Sequence, residues 1–334
     1  MPLTGPSGPT ALGPALRDAV ELATLTTGAA DVTFLVKDDA STPAGARAAA
    51  QAALAEGAEL IVGPVFAASV KAAGAVARAS NRPLIGFSSD ATAAAPGVYL
   101  LSLLIESYVE RVVAHAAGQG KKSLAALAAD TEFGVVASAA LRTSAAAHGL
   151  RVMLEERYSA ATLTETMRKV VALGEQIDTL FLGEQPEGLA AATQAMGAAG
   201  LRPGAVQLLG VSQWNDPRAL RAPQLEGAWF AAPEPAGFVG LSQRYRAKFG
   251  KEPPRLASLA YDAASLAAAL ARAQGAARFA PQTLTAPTGF TGVDGAFRFK
   301  ADGLNERGLA VMRIESGQAR VIAAAPRSFP AATN

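Results

Sequence analysis

Six loops hold the residues able to do chemistry, each falling where an apolar, strand-like run ends. Asp38-Asp39-Ala40-Ser41, Pro64-Val65-Phe66-Ala67-Ala68-Ser69 and Ser88-Ser89-Asp90-Ala91-Thr92 lie in the first part of the chain. Asp130-Thr131-Glu132-Phe133-Gly134, Glu184-Gln185-Pro186 and Ser212-Gln213-Trp214-Asn215 lie further on. In open parallel sheets ligands bind beyond the carboxyl ends of the strands, because loop amides and helix N-termini point there. Small polar side chains beside a large aromatic can hold the polar and apolar parts of one small molecule. Ser88, Asp90 and Thr92 are equally what caps and turns require, and Phe133 and Trp214 are equally suited to anchoring a core. Both readings stand at this stage.

Catalytic patterns are scarce. The sequence has no phosphate-cradling glycine loop, no dinucleotide fingerprint, no H-E-x-x-H and no G-x-S-x-G, and Pro6 stands in Gly5-Pro6-Ser7-Gly8 where a cradle needs an amide donor. Both histidines, His115 and His148, fall near helix ends away from the strand tips, where they suit a surface or dipole role better than general-base work. Glu106 and Asp262 could pair as acid and base, but their spacing does not ask for it. No enzymatic activity, cofactor or metal is expected.

The elements that must position the six loops alternate strictly. Residues 32–37, 59–63, 83–87, 123–128, 150–154, 178–182 and 206–211 read as short buried strands. Between them, residues 13–25, 43–56, 68–79, 105–117, 133–147, 163–173 and 186–199 read as alanine-rich helices. Such alternation makes right-handed βαβ units and parallel sheets covered on both faces, the doubly wound α/β class. Seven units exceed one ordinary open sheet, and the Gly118-Gln119-Gly120-Lys121-Lys122 joint is read as an interdomain crossing. Ala232-Pro233-Glu234-Pro235 reads as a stiff connector. Two helices, 237–249 and 255–274, follow it, and then short strands at 296–299, 310–314 and 320–324. The expected division is residues 1–117 with 236–302 in one lobe and 118–235 with 303–330 in the other.

Composition agrees. A chain of 334 residues is long for one core, which rarely grows past about 250. Half the residues are apolar and 17% charged, which excludes disorder, yet no apolar run is long enough to span a bilayer. A net charge of +2, with no basic cluster larger than Lys121-Lys122, argues against nucleic acid as a partner. The absence of cysteine fits cytosol or periplasm alike and removes thiol chemistry.

The ordered motifs resemble a family. Pro2-Leu3-Thr4-Gly5-Pro6 before Leu12-Gly13, Ala58-Glu59-Leu60-Ile61-Val62-Gly63-Pro64 with Arg82-Pro83-Leu84-Ile85-Gly86, and Asp130-Thr131-Glu132-Phe133-Gly134 begin the series. Ala260-Tyr261-Asp262-Ala263 and Phe290-Thr291-Gly292-Val293-Asp294-Gly295 complete it. Together they resemble the type I periplasmic binding proteins of the branched-chain amino-acid receptor kind over nearly the whole chain.

That resemblance implies two lobes joined by three crossovers, Venus-flytrap closure on a small molecule, a periplasmic location and delivery to an ABC transporter permease. It also implies upstream residues holding the rest of the first strand and a signal peptide or lipid anchor. Carried over by position, the ligand contacts are Leu12, Phe66, Ala67, Ala68, Ser69, Ser88, Ser89, Asp90 and Thr92, then Phe133, Gln185, Ser212, Gln213 and Trp214. Amino-acid binders of the family hold the carboxylate with a Ser near the position of Ala67 and the ammonium with a Glu near that of Ser212; this sequence has neither. The tail from Phe290 to Ile322 and the Trp214-Asn215-Asp216-Pro217 turn also resemble the lipoprotein activators of penicillin-binding proteins. These regulate peptidoglycan synthases through protein contacts, which is the alternative expectation.

Overall fold

A computed structural model describes residues 1–28, 32–273 and 275–329. The chain forms two compact α/β units. The first comprises Met1–Leu104, Pro235–Gly308 and the stretch from Pro326; the second comprises Ile105–Glu234 and Leu309–Ala325.

The second unit is built on one seven-stranded sheet. Arg151–Tyr158, Ser123–Ala129, Thr179–Gly183, Gln207–Leu209 and Trp229–Ala232 lie side by side in that order, all parallel, and Ala310–Glu315 and Gln318–Ala323 add an antiparallel edge. Strands buried on both faces should be apolar throughout, and Thr179–Gly183 is buried at every position. The covering helices are alanine-rich, so they approach closely. Gly134, in Glu132–Ala147, sits where any side chain would collide with the Ala129 carbonyl.

The first unit is more divided. Ile61–Val62, Leu84–Gly86 and Val98–Leu100 form a parallel sheet in that order, and Phe290–Gly292, Gly295–Phe299 and Asn305–Arg307 form an antiparallel one. Thr4–Gly5 and Gly8–Pro9 make a small hairpin. Helices Leu12–Thr27 and Ala257–Ala273 pack together over a core that includes Leu16, Tyr99, Tyr245, Phe297 and Phe299.

Three expectations need correction. Residues 32–37 join no ladder. Among the described residues Met1 alone pairs beside their far end, its amine donating to the Lys37 carbonyl at 2.9 Å and its carbonyl accepting from the Asp39 amide at 3.0 Å. The rest of that segment borders a cavity of about 680 Å³ reaching to Ile61 and Ala50, and Phe34 packs against the core. Helix Ile105–Gly118 belongs to the second unit, not the first. It buries Tyr108, Val109, Val112, Val113 and Ala116 and packs on Glu132–Ala147 and Trp229–Ala232, so the chain changes unit at Leu104 rather than at Gly118. Residues 303–308 stay with the first unit, and the chain returns there after Ala325.

Residues 303–308 are held there by the ladder of Asn305–Arg307 with Gly295–Phe299 and by a buried charge cluster. Arg307 Nε and Asn305 Nδ2 both donate to the Ser102 carbonyl, at 2.9 and 2.8 Å. Asp294 accepts a fork from Arg255 at 2.9 and 2.5 Å and a bond from the Ser258 hydroxyl at 2.8 Å. Asp262 accepts from the Val293 amide at 2.7 Å. Asp262 Oδ2 and both terminal nitrogens of Arg307 are buried without a direct partner among the described residues.

Burial pushes the Asp262 carboxyl up from 3.8 to about 7, with Asp294 adding to the rise and Arg307, the Val293 amide and Arg255 opposing it. Between those values the folded protein holds a proton that the unfolded chain has released, so stability from this group falls as pH rises through that window and levels off above it. In denaturant titrations between about pH 4 and 8, the transition of the first unit should shift to lower denaturant as pH rises to 7. Asp262→Asn should remove that dependence; an unchanged slope would exclude Asp262 as its source.

Candidate functional site

The fourteen residues expected to contact a ligand are divided by the chain into nine in the first unit and five in the second. In the first unit most follow the strands Ile61–Val62 and Leu84–Gly86, at their carboxyl ends. Leu12 opens the helix Leu12–Thr27, is half-buried and packs on the core, while Thr10 Oγ1 accepts from the Gly13 amide at 3.1 Å.

Helix Ala67–Ala79 begins without a cap. A capping side chain normally accepts from the second or third helical amide, but here the position is held by Phe66, which has no acceptor and is 46% exposed. The first helical bond runs from the Val70 amide to the Phe66 carbonyl at 2.8 Å. The amides of Ala67, Ala68 and Ser69 find no acceptor among the described residues. Ser69 is 1% exposed and its hydroxyl also has no partner there. Such an end, with donors converging and a positive partial charge, attracts an oxyanion.

The next loop is satisfied within itself. Ser88 is buried and its oxygen accepts from the Asp90 amide at 3.1 Å. Asp90 caps the short turn Ala91–Ala93, accepting from the Thr92 amide at 2.8 Å and the Thr92 hydroxyl at 2.6 Å, while Lys71 donates to Thr92 at 2.8 Å. The Thr92 hydroxyl, backed by the Thr92 amide and the Lys71 charge, holds the Asp90 carboxyl below its ordinary value. Here the capping role is realised, and Lys71, which sequence reasoning passed over, supplies a cation one helical turn beyond Ala67. Ser89 is exposed.

In the second unit Thr131 caps helix Glu132–Ala147 through the Gly134 amide at 3.1 Å, leaving Phe133 half-buried in the first turn. Asp130 pairs with Arg157 at 3.2 Å. Gln185 and Gln213 are exposed and Ser212 is half-buried.

Trp214 stands elsewhere. It is fully enclosed, its indole lies over Gly210 where any side chain would collide, and its Nε1 donates to the Glu184 carbonyl at 2.8 Å. With no exposed surface it holds the Ser212–Trp214 turn and the Glu184 loop together. Glu184 is itself buried and accepts from the Tyr158 hydroxyl at 2.7 Å and from the Gln185 amide at 2.8 Å. Burial, reinforced by the neighbouring carboxylate, pushes the Tyr158 phenol up. The only sign of this network in the sequence is a tyrosine ending a largely polar strand. Glu106 and Asp262, the pair weighed for acid–base work, fall in different units. No group of three or more metal-ligating side chains occurs among the described residues.

Two α/β units whose parallel strands end in polar and aromatic loops define the architecture of type I solute-binding proteins. The family profile for periplasmic binding proteins matches residues 1–319, and the chain belongs to that family. A solved protein assigned to a branched-chain amino acid ABC transporter of Rhodospirillum rubrum is similar at 21% identity and TM-score 0.82, covering 96% of this chain and 97% of that one. A substrate-binding protein of Desulfitobacterium hafniense, solved with Leu, is similar at 18% and 0.66, covering 92% and 95%. A solute-binding protein of Rhodopseudomonas palustris, solved with 3,4-dihydroxybenzoic acid, is similar at 18% and 0.64, covering 99% and 96%. A search of curated proteins returns no match to this sequence.

Trp214→Ala should cost about 3–5 kcal/mol in the unfolding of the second unit, since it empties a fully buried ring site and orphans the Glu184 carbonyl. Denaturant titration followed by near-ultraviolet circular dichroism reads this; a loss below about 1 kcal/mol would show that the indole does not hold the two loops.

Proposed function

We propose that this protein is a periplasmic receptor that captures a small organic acid and delivers it to an ABC-type permease. The observation that carries the reading is the uncapped start of helix Ala67–Ala79, where three free amides and the buried Ser69 hydroxyl suit one carboxylate. Exposed Phe66 beside it suits an apolar body. Phe133, Gln185 and the Ser212–Trp214 turn remain the expected contributions of the second unit, with Trp214 acting by support.

The ligand class follows from charge. A desolvated ammonium needs a carboxylate partner, and a missing one costs several kcal/mol. Three carboxylates of the candidate loops are engaged, Asp90 with Thr92, Asp130 with Arg157 and Glu184 with Tyr158, and none of these is left for an ammonium. An acid without an α-ammonium is therefore favoured over a plain amino acid. The relative solved with 3,4-dihydroxybenzoic acid supports this class, and the one solved with Leu marks the alternative. Anchoring through an upstream lipid or signal segment is part of the same proposal.

Isothermal titration with benzoate, 3,4-dihydroxybenzoate and leucine tests it. An aromatic acid should bind and leucine should bind at least tenfold more weakly. Ser69→Ala should weaken the acid by about 1 kcal/mol. Ala68→Asp, which places a carboxylate at the helix end, should abolish binding. Tighter leucine binding would overturn the ligand class. Failure of every acid and amino acid, with recovery of a peptidoglycan synthase from envelope extracts, would favour the regulatory alternative.

A further inference from the structure

The first unit has a second hollow, about 630 Å³ in volume, at the end of its parallel sheet opposite the candidate loops. Its walls come from the residues that precede the strands: Glu59 before Ile61–Val62, Arg82 and Pro83 before Leu84–Gly86, Pro96 and Gly97 before Val98–Leu100. Three arginines from separate segments meet there, Arg78 in the last turn of Ala67–Ala79, Arg82 in the turn that follows, and Arg278 after the short turn Gly275–Ala277.

One arginine is already committed. Arg278 forks onto Glu59, with Nε at 3.1 Å from Oε2 and Nη2 on Oε1, and its guanidinium lies 6.0 Å from the Phe279 ring centroid. That pairing and the charge of Arg82 hold the Glu59 carboxyl below its ordinary value. The guanidinium groups of Arg78 and Arg82 form no ion pair or hydrogen bond among the described residues, although both backbones are bonded within their turn. Against a single carboxylate the hollow thus carries an excess of two positive charges. Tyr99 also lines it, 2% exposed, and its hydroxyl has no hydrogen-bond partner among the described residues.

A solvated surface arginine needs no partner, but two uncompensated guanidiniums in one concavity raise the local potential and concentrate anions there. Guanidinium forks match carboxylate and phosphate oxygens in plane and spacing. We propose that this hollow is a second binding site, for a small dianion carrying carboxylate or phosphate oxygens, held by Arg78 and Arg82 with the Tyr99 hydroxyl as an additional donor. The site is separate from the helix start at Ala67 and stands whether or not that end binds an acid.

Titration of the full chain with inorganic phosphate, succinate and acetate, at constant low ionic strength and followed by calorimetry and NMR, tests it. Saturable one-to-one binding of phosphate or succinate upholds the site, and the tighter of the two names the oxyanion; acetate should bind at least tenfold more weakly. Arg78→Ala/Arg82→Ala should weaken the dianion at least tenfold, and raising salt to about 0.2 M should weaken it further. Because neither guanidinium is hydrogen-bonded or ion-paired to another described residue, the variant should melt as the parent does; if it does not, Arg82→Gln alone should still lower affinity. Ser69→Ala should leave it unchanged. No saturation by phosphate or succinate at about 10 mM, a level far weaker than a useful site, overturns the proposal. So does affinity that survives the double substitution, or affinity that moves with Ser69.

Discussion

A guanidinium taken out of water is costly unless acceptors and countercharge replace its hydration, and in the first unit that constraint falls on Arg307. Its terminal nitrogens have no direct partner among the described residues, and it lies in the field of Asp294 and Asp262. Its Nε is met by the Ser102 carbonyl, which Asn305 also bonds, so the last residues before the chain leaves at Leu104 are tied to the last before it leaves at Gly308. Around it Asp294, Arg255 and Ser258 form a closed set, and Asp262 reaches the Val293 amide. Segments separated by some two hundred positions are thereby fixed in one register. The Phe297 ring, 5.5 Å from the Arg307 guanidinium, covers the cluster from the aromatic core.

The candidate loops illustrate how one local problem receives different solutions. Helices that start after a strand expose amides needing acceptors. Thr42, Thr131 and Asp216 each supply one from the side chain at the helix start. Phe66 cannot, and beside it the hydroxyl of Ser69 is buried without a direct partner. The helices starting at Leu12, Leu163, Leu189 and Pro281 also lack a bond from the capping side chain, so what distinguishes the Ala67 end is the buried Ser69 hydroxyl without a direct partner among the described residues, beside amides left free for a ligand's oxygens.

Much of the architecture was legible because periodicity and composition are local properties. The all-buried run Thr179–Gly183 and the alanine-rich stretch Glu132–Ala147 declare strand and helix without help from the rest of the chain. What depends on distant partners was not legible. Residues 32–37 have the composition of a strand but lack a neighbour along most of their length, and helix Ile105–Gly118 reveals its allegiance only through the surfaces it packs on. Trp214 suits a pocket or a core equally in sequence, which gives chemical type and neighbourhood, whereas its enclosure depends on Gly210 and the Glu184 carbonyl. The Asp262 and Arg307 cluster has no spacing signal, since its members lie on a helix and on a strand near a chain crossing.

The unpaired run at 32–36 sets the two units apart in how firmly they are closed. In the second, seven strands are laced into one sheet; in the first, extended backbone borders a cavity and Leu35 and Val36 stay substantially exposed. Local opening is cheapest where few backbone bonds and apolar contacts must be broken. Amide protons there should be the first in their unit to exchange, and the helix start at Ala67, which follows Ile61–Val62 on the far side of the same cavity, sits on the softer half of the molecule.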